Sequence, residues 1–79
     1  MKKIKILGPG CRKCQIAYNN VLEAVEQSGV EADVIKIEDF EEMMRYNVLA
    51  TPVLMIDEEE KVAGRVPNVN EIKEFLSTQ

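Results

Sequence analysis

The sequence has no histidine, only two cysteines, and no apolar run near the roughly 20 residues that a membrane-spanning helix needs. Each lack narrows what the chain can do. Without imidazole, two thiolates cannot complete a tetrahedral zinc site. The start, MKKIKILGPGC, is basic, but its apolar portion IKIL is too short and interrupted for a secretory signal core. No membrane association is therefore expected, and a cytoplasmic location is. In that compartment thiols are kept reduced, so a structural disulfide is not expected. A bridge between positions 11 and 14 would also close too small a loop to remove much unfolded-state entropy. Basic residues number 10 against 14 acidic ones, for a net charge of -4, and they form no dense tract. That balance argues against nucleic acid as a partner. There is no internal repeat, low-complexity tract or linker, so a single domain over residues 1–79 is expected.

Hydrophobic residues make up 46% of the 79, enough for one small core near the lower limit for independent folding. Lys2 to Leu7 alternates charged and aliphatic residues and predicts a strand, ended by Gly8-Pro9-Gly10. Cys14, Ala17, Tyr18, Val21 and Val25 recur at helical spacing and predict a helix over 11–28, capped by Gly29. ADVIKI, 32–37, reads as a second strand. Asp39 with Glu42 fits a capping box opening a short helix to about Tyr46, which Asn47 ends. Met43 and Met44 read as core filling, one of them partly exposed. A third strand is expected at 53–56. An acidic turn over 57–60 should return the chain through KVAG as a hairpin. Asn68 and Glu71 repeat the capping pattern before a last helix with the apolar face Val69, Ile72, Phe75 and Leu76. The order is β-α-β-α-β-β-α. Its first two strands should be parallel with a right-handed crossover, and helices should cover both faces of a mixed sheet.

The chemistry concentrates in GPGCRKC, residues 8–14. Cys11 falls at the mouth of the first helix, where backbone N–H groups lack partners and the helix dipole is positive. Arg12 and Lys13 add positive charge, and no acidic side chain lies within the motif. The Cys11 thiol is therefore expected to ionise below the free-thiol value of about 8.5. Cys14, one turn on, falls on the buried face. An activated exposed thiol beside a sheltered one suits thiol–disulfide exchange, in which the first attacks and the second resolves the mixed disulfide. Thr51-Pro52 stands where a proline is tolerated, at the start of a strand. Taken alone, its peptide bond would be assigned trans.

A strand, a CxxC opening a helix and a Thr-Pro before the third strand together resemble the thioredoxin superfamily. The likeness is strongest to its small glutaredoxin-like, redox-active-disulfide members from archaea and bacteria. The blocks IKILGPGCRKC, ATPVLMID and VAGRVPNVNEI carry it across nearly the whole chain. The resemblance implies a four-stranded sheet of order 2-1-3-4 with three helices, and a cis Pro52 lying against the dithiol. It further implies a thiol–disulfide oxidoreductase without cofactor or metal, with Cys11 and Cys14 forming the redox-active disulfide. Thr51 and Pro52 would contact substrate, joined by Arg12 and Lys13. The partners implied are disulfide-containing proteins and an upstream reductase, and the protein would be a monomer. The chain departs from better-known branches at Gly10, where an aromatic is usual, and at Lys5, in place of a buried carboxylate. Glutathione-binding glutaredoxins usually carry paired glycines and an acidic residue where this chain has Ala63-Gly64-Arg65-Val66, an arginine able to attract an anion. Two other readings stay open on residues alone. One is soft-metal binding by CxxC, with Cu(I) satisfied by two thiolates, although copper chaperones place a hairpin where EDFEEMMRY reads as a helix. The other is a non-catalytic binding module, which would need neither cysteine.

Overall fold

In β1 (Lys2–Leu7), Ile4 and Ile6 face one side of the sheet while Leu7 faces the other, the alternation a pleated strand imposes. The structure, a computed structural model, describes residues 1–77. α1 (Arg12–Ser28) follows, burying Cys14, Ala17, Val21 and Ala24 along one stripe. Cys11 is its N-terminal cap rather than its first residue, and Gly29 closes it in the left-handed conformation. Tyr18 and Val25 flank the stripe and are half-buried. β2 (Ala32–Ile37) runs parallel to β1, Leu7 lying opposite Ile37.

α2 (Phe40–Arg45) opens where Asp39 accepts the Glu42 backbone N–H at 3.2 Å, and Asn47 leaves it with a φ of 56°. Met43 is buried beneath it and Met44 is exposed. β3 (Val53–Ile56) is buried along its whole length, between β1 and β4 (Glu59–Ala63). The hairpin is tighter than the acidic run 57–60 suggests. Only Asp57 and Glu58 turn, both at positive φ (51° and 69°), the conformation of a two-residue hairpin loop. Asp57 tolerates it and is held there by accepting the Lys3 backbone N–H at 3.0 Å. That bond also holds the Asp57 carboxyl below its ordinary range. Glu59 and Glu60 belong to the strand, and a bulge between Leu54 and Met55 shifts the pairing past Lys61.

α3 (Val69–Ser77) begins with a reciprocal capping box. The Glu71 N–H donates to Asn68 Oδ1 at 2.8 Å, and the Asn68 N–H donates to Glu71 Oε1 at 2.9 Å. Ile72 and Leu76 are buried, with Val69 and Phe75 packed beside them.

The sheet order is β2-β1-β3-β4, as the sequence resemblance implies. One face carries Ile4, Ile6, Leu54, Ile56 and Val62 against α1 and α3. The other gathers Leu7, Ile37, Val53 and Met55 beneath Met43 of α2. Register then brings the chemistry together. Leu7 pairs with both Ile37 and Val53, and Val53 with Ala63, so the residues just beyond all four meet at one end of the sheet. Gly8 donates its N–H to Ile37 at 2.9 Å, and Gly64 donates to the Pro52 carbonyl at 3.0 Å.

Candidate active site

Cys11 leaves the sheet in extended conformation (φ -69°, ψ 170°) and caps α1 with its backbone alone. Its side chain is exposed, whereas Cys14, three residues into the helix, is only 2% exposed. Both are free thiols, with Sγ atoms 2.8 Å apart. Their acidities diverge. The hydrogen bond from Cys14 holds the Cys11 thiol below its ordinary value, helped by the N–H groups of Cys14 and Lys13 at the helix mouth. Burial, and then the bond to Cys11, pushes the Cys14 thiol up. Arg12 and Lys13 are both exposed. What acidifies Cys11 is fixed geometry, the neighbouring thiol and the backbone, more than these flanking side chains in water.

The glycines on either side of Pro9 let neighbouring side chains approach the backbone closely. Gly8 is buried, and a Cβ there would lie 2.3 Å from Cys14 Sγ and 3.8 Å from the Thr51 Cβ. Cys14 Sγ and the Thr51 side chain thus both approach one point, which places Thr51 beside the dithiol. The Thr51-Pro52 peptide is cis, the isomer implied by the family resemblance and not by the residues alone. Pro52 is fully buried, while Leu49, on the approach to it, is 99% exposed. Gly10 adopts a φ of 86°, open to glycine, and a Cβ there would stand 2.7 Å from Glu38 Oε2. That carboxylate lies 3.6 Å from Lys36 Nζ, and the Lys36 ammonium sits 4.9 Å over the Tyr18 ring. A carboxylate therefore abuts the glycine before Cys11, although no acidic residue occurs within GPGCRKC. It arrives from the end of β2, 28 positions away, and local sequence gives no signal of it.

Three other residues singled out in the sequence have definite places. The Lys5 ammonium donates to Tyr46 Oη at 3.0 Å, pairs with Glu58, and lies 5.1 Å from the Tyr46 ring centre. The Glu58 carboxylate and then the Tyr46 hydroxyl raise its pKa. Tyr46, which the sequence marks only as a helix end, is thus part of a tie between β1, α2 and the hairpin. Arg65 is engaged by Glu71 in a two-pronged contact at 2.6 and 2.9 Å, which keeps the guanidinium charged and the carboxyl below its ordinary range. It is committed to the start of α3 rather than free for an anion. Among the described residues no three or more His, Cys, Asp or Glu side chains gather as a metal-ligand set.

Comparison with known proteins agrees with this geometry. Residues 2–77 match the family described as Thioredoxin domain. The chain is 40% identical over 77 residues to a protein named Thioredoxin from Methanothermobacter thermautotrophicus, covering 98% of this chain and 100% of that one. It is also 40% identical over 78 residues to one of the same name from Methanocaldococcus jannaschii, covering 99% of this chain and 90% of that protein. Sheet order, helix-mouth thiol pair and these matches agree: the chain belongs to the thioredoxin family of thiol–disulfide oxidoreductases.

Proposed function

We propose that the protein exchanges electrons between its Cys11–Cys14 dithiol and disulfides in protein substrates, with Cys11 as the attacking thiol and Cys14 as the resolving one. The observation that carries this is the pair's asymmetry. An exposed, acidified thiol stands 2.8 Å from a buried thiol of raised pKa.

The Cys11 thiolate attacks one sulfur of the substrate disulfide. A Cys11–substrate bond forms, the substrate's S–S bond breaks, and the electron pair leaves on the second substrate sulfur, which takes a proton. Cys14 then gives up its proton and attacks Cys11. A Cys11–Cys14 bond forms as the mixed disulfide breaks, and the first substrate sulfur, the one bonded to Cys11, departs as a thiolate. Two electrons have moved, and the substrate is a dithiol. The high pKa of Cys14 keeps it protonated until the mixed disulfide forms, which separates the two steps. An upstream dithiol or flavin-linked reductase restores the pair.

Thr51 and Pro52 form the wall beside the dithiol against which a substrate backbone would lie. The exposed Arg12 and Lys13 would favour substrates with acidic residues near the disulfide. The protein requires no cofactor of its own for this chemistry, and it would work as a monomer in the cytoplasm.

The test is substrate trapping. A Cys14→Ser variant should accumulate mixed disulfides with cellular proteins, and Cys11→Ser should capture none. The wild type should catalyse insulin reduction by dithiothreitol. Equal residual turnover in both single variants would overturn the assignment, and stoichiometric Cu(I) uptake without disulfide chemistry would replace it with metal binding.

A further inference from the structure

We propose that Gly8 is a positioning residue for the resolving step: the missing side chain at this position is the space in which the Cys14 sulfur sits. This rests on the assignment of Cys14 as resolving thiol.

A Cβ on Gly8 would stand 2.3 Å from Cys14 Sγ and 3.3 Å from Cys14 Cβ. Non-bonded heavy atoms settle at about 3.5–4.0 Å, so the first contact cannot exist and the second is tight. Gly8 is not among the residues at positive φ, so the requirement is for space and not for an unusual backbone. Nor can the backbone yield easily. Gly8 directly extends the central strand β1, it is buried, and its N–H is fixed to the Ile37 carbonyl at 2.9 Å. Cys14 is anchored in turn by α1, whose buried stripe it begins.

The one soft coordinate left is rotation of the Cys14 side chain about Cα–Cβ. On a helix that rotation has few allowed wells. Any new well carries Sγ away from Cys11, its partner at 2.8 Å. A methyl group at position 8 therefore acts on the second step of the exchange, the attack of Cys14 on the Cys11 sulfur. A displacement of the order of an ångström in a reacting group slows such a step by up to about 10²-fold.

The experiment uses the aryl disulfide dithiobisnitrobenzoate as probe with the reduced protein. Attack by Cys11 forms a Cys11–aryl disulfide and releases one thionitrobenzoate. Attack by Cys14 then forms the Cys11–Cys14 bond and releases the second, so two time courses report two sulfurs. In folded Gly8→Ala the second release should slow at least about tenfold relative to the first, with the Cys11–aryl adduct visible by mass spectrometry. A second release as fast as in wild type would overturn the proposal.

Stability supplies an independent readout. Gly8→Ala should lower the melting temperature in the Cys14 background, and much less when combined with Cys14→Ala, which removes the obstructing sulfur. If Gly8→Ala does not fold, this double variant decides. Recovery of cooperative unfolding supports the clash with sulfur, and continued failure to fold overturns it. Cys14→Ser should release one thionitrobenzoate and stop. If the wild type releases two but keeps an aryl group on each cysteine by mass spectrometry, with no Cys11–Cys14 bond formed, the resolving role itself is wrong, an outcome distinct from a fast Gly8→Ala.

Discussion

Ile72→Ala would open a hole between α3 and α1, the helix that presents both thiols. Ile72 is 0% exposed, and the buried α1 residues of its cluster are Ala17, Val21 and Ala24, with Tyr18 and Val25 half-buried beside them. Alanines cannot extend to fill a gap, so little of the cavity would close by repacking. Buried isoleucine-to-alanine changes cost about 2–5 kcal/mol, the larger values where the site stays open, and about 3–4 kcal/mol is expected here. A chain of 79 residues has a total stability of roughly 4–12 kcal/mol. The variant should therefore lose a large share of its stability while still folding at low temperature. With a guanidinium m-value of about 2 kcal/mol/M for so small a domain, the unfolding midpoint should fall by roughly 1.5–2 M. The assay is guanidinium unfolding of the reduced protein, followed by circular dichroism with m held as a free parameter. A loss below about 1 kcal/mol at unchanged m would refute the view that the α1–α3 contact is a rigid, close-packed layer.

Other outcomes follow from the site and the caps. Cys14→Ala should raise the Cys11 pKa, because the hydrogen bond from Cys14 is the largest cause of its depression, as thiolate ultraviolet absorbance against pH would show. Arg12→Gln with Lys13→Gln should move the same titration less than Cys14→Ala does, and a reversed ranking would return the acidification to the flanking charges. Asn68→Ala should destabilise the fold by about 1 kcal/mol through loss of the α3 cap, measured by urea midpoint. The Glu71 carboxyl is held below its ordinary range, chiefly by Arg65. Its contribution is thus fully present above the unfolded value of about 4.3 and is lost as pH falls through the lower folded value. Glu71→Gln should flatten the acid limb of stability against pH, and an unchanged limb would contradict the coupling.

Local pattern carried most of the architecture. The strands at 2–7, 32–37 and 53–56 have the expected bounds, because each is an aliphatic-rich run set off by turn residues, Gly8 after the first and Pro52 before the third. Both helix caps stand where Asp39–Glu42 and Asn68–Glu71 put them, the first by the Asp39 side chain alone and the second as a full reciprocal box. The hairpin did not follow its composition. Four acidic residues read as one solvated turn, but Glu59 and Glu60 sit on an edge strand where exposed side chains and paired backbone coexist. In the site, the spacing of Cys11 and Cys14 and the position of Thr51-Pro52 were legible, whereas their surroundings were not. Glu38 against Gly10, Tyr46 on Lys5 and Arg65 on Glu71 are products of strand register and loop closure. The steric demand at Gly8 was equally hidden, since the letter G records no neighbour.

The tie from Lys5 to Tyr46 and Glu58 gives the sheet two unlike adhesives. The α1–α3 side is fastened chiefly by apolar side chains, Tyr18 and Phe75 among them, beside an exposed hydrogen bond from Lys73 Nζ to Gln27 Oε1 at 3.1 Å. Opposite, a helix of only six residues covers a smaller apolar cluster and is moored to β1 and the hairpin by an ammonium, a phenol and a carboxylate. Added sodium chloride screens the second kind of bond and leaves the first nearly untouched. Amide hydrogen exchange in rising salt should then quicken in α2 while α1 and α3 stay protected, and uniform exchange across the three helices would disprove it. Since α2 begins two residues after Glu38, loosening that mooring would reach the carboxylate beside Gly10. Ionic strength would thus act on the redox loop from the far side of the sheet.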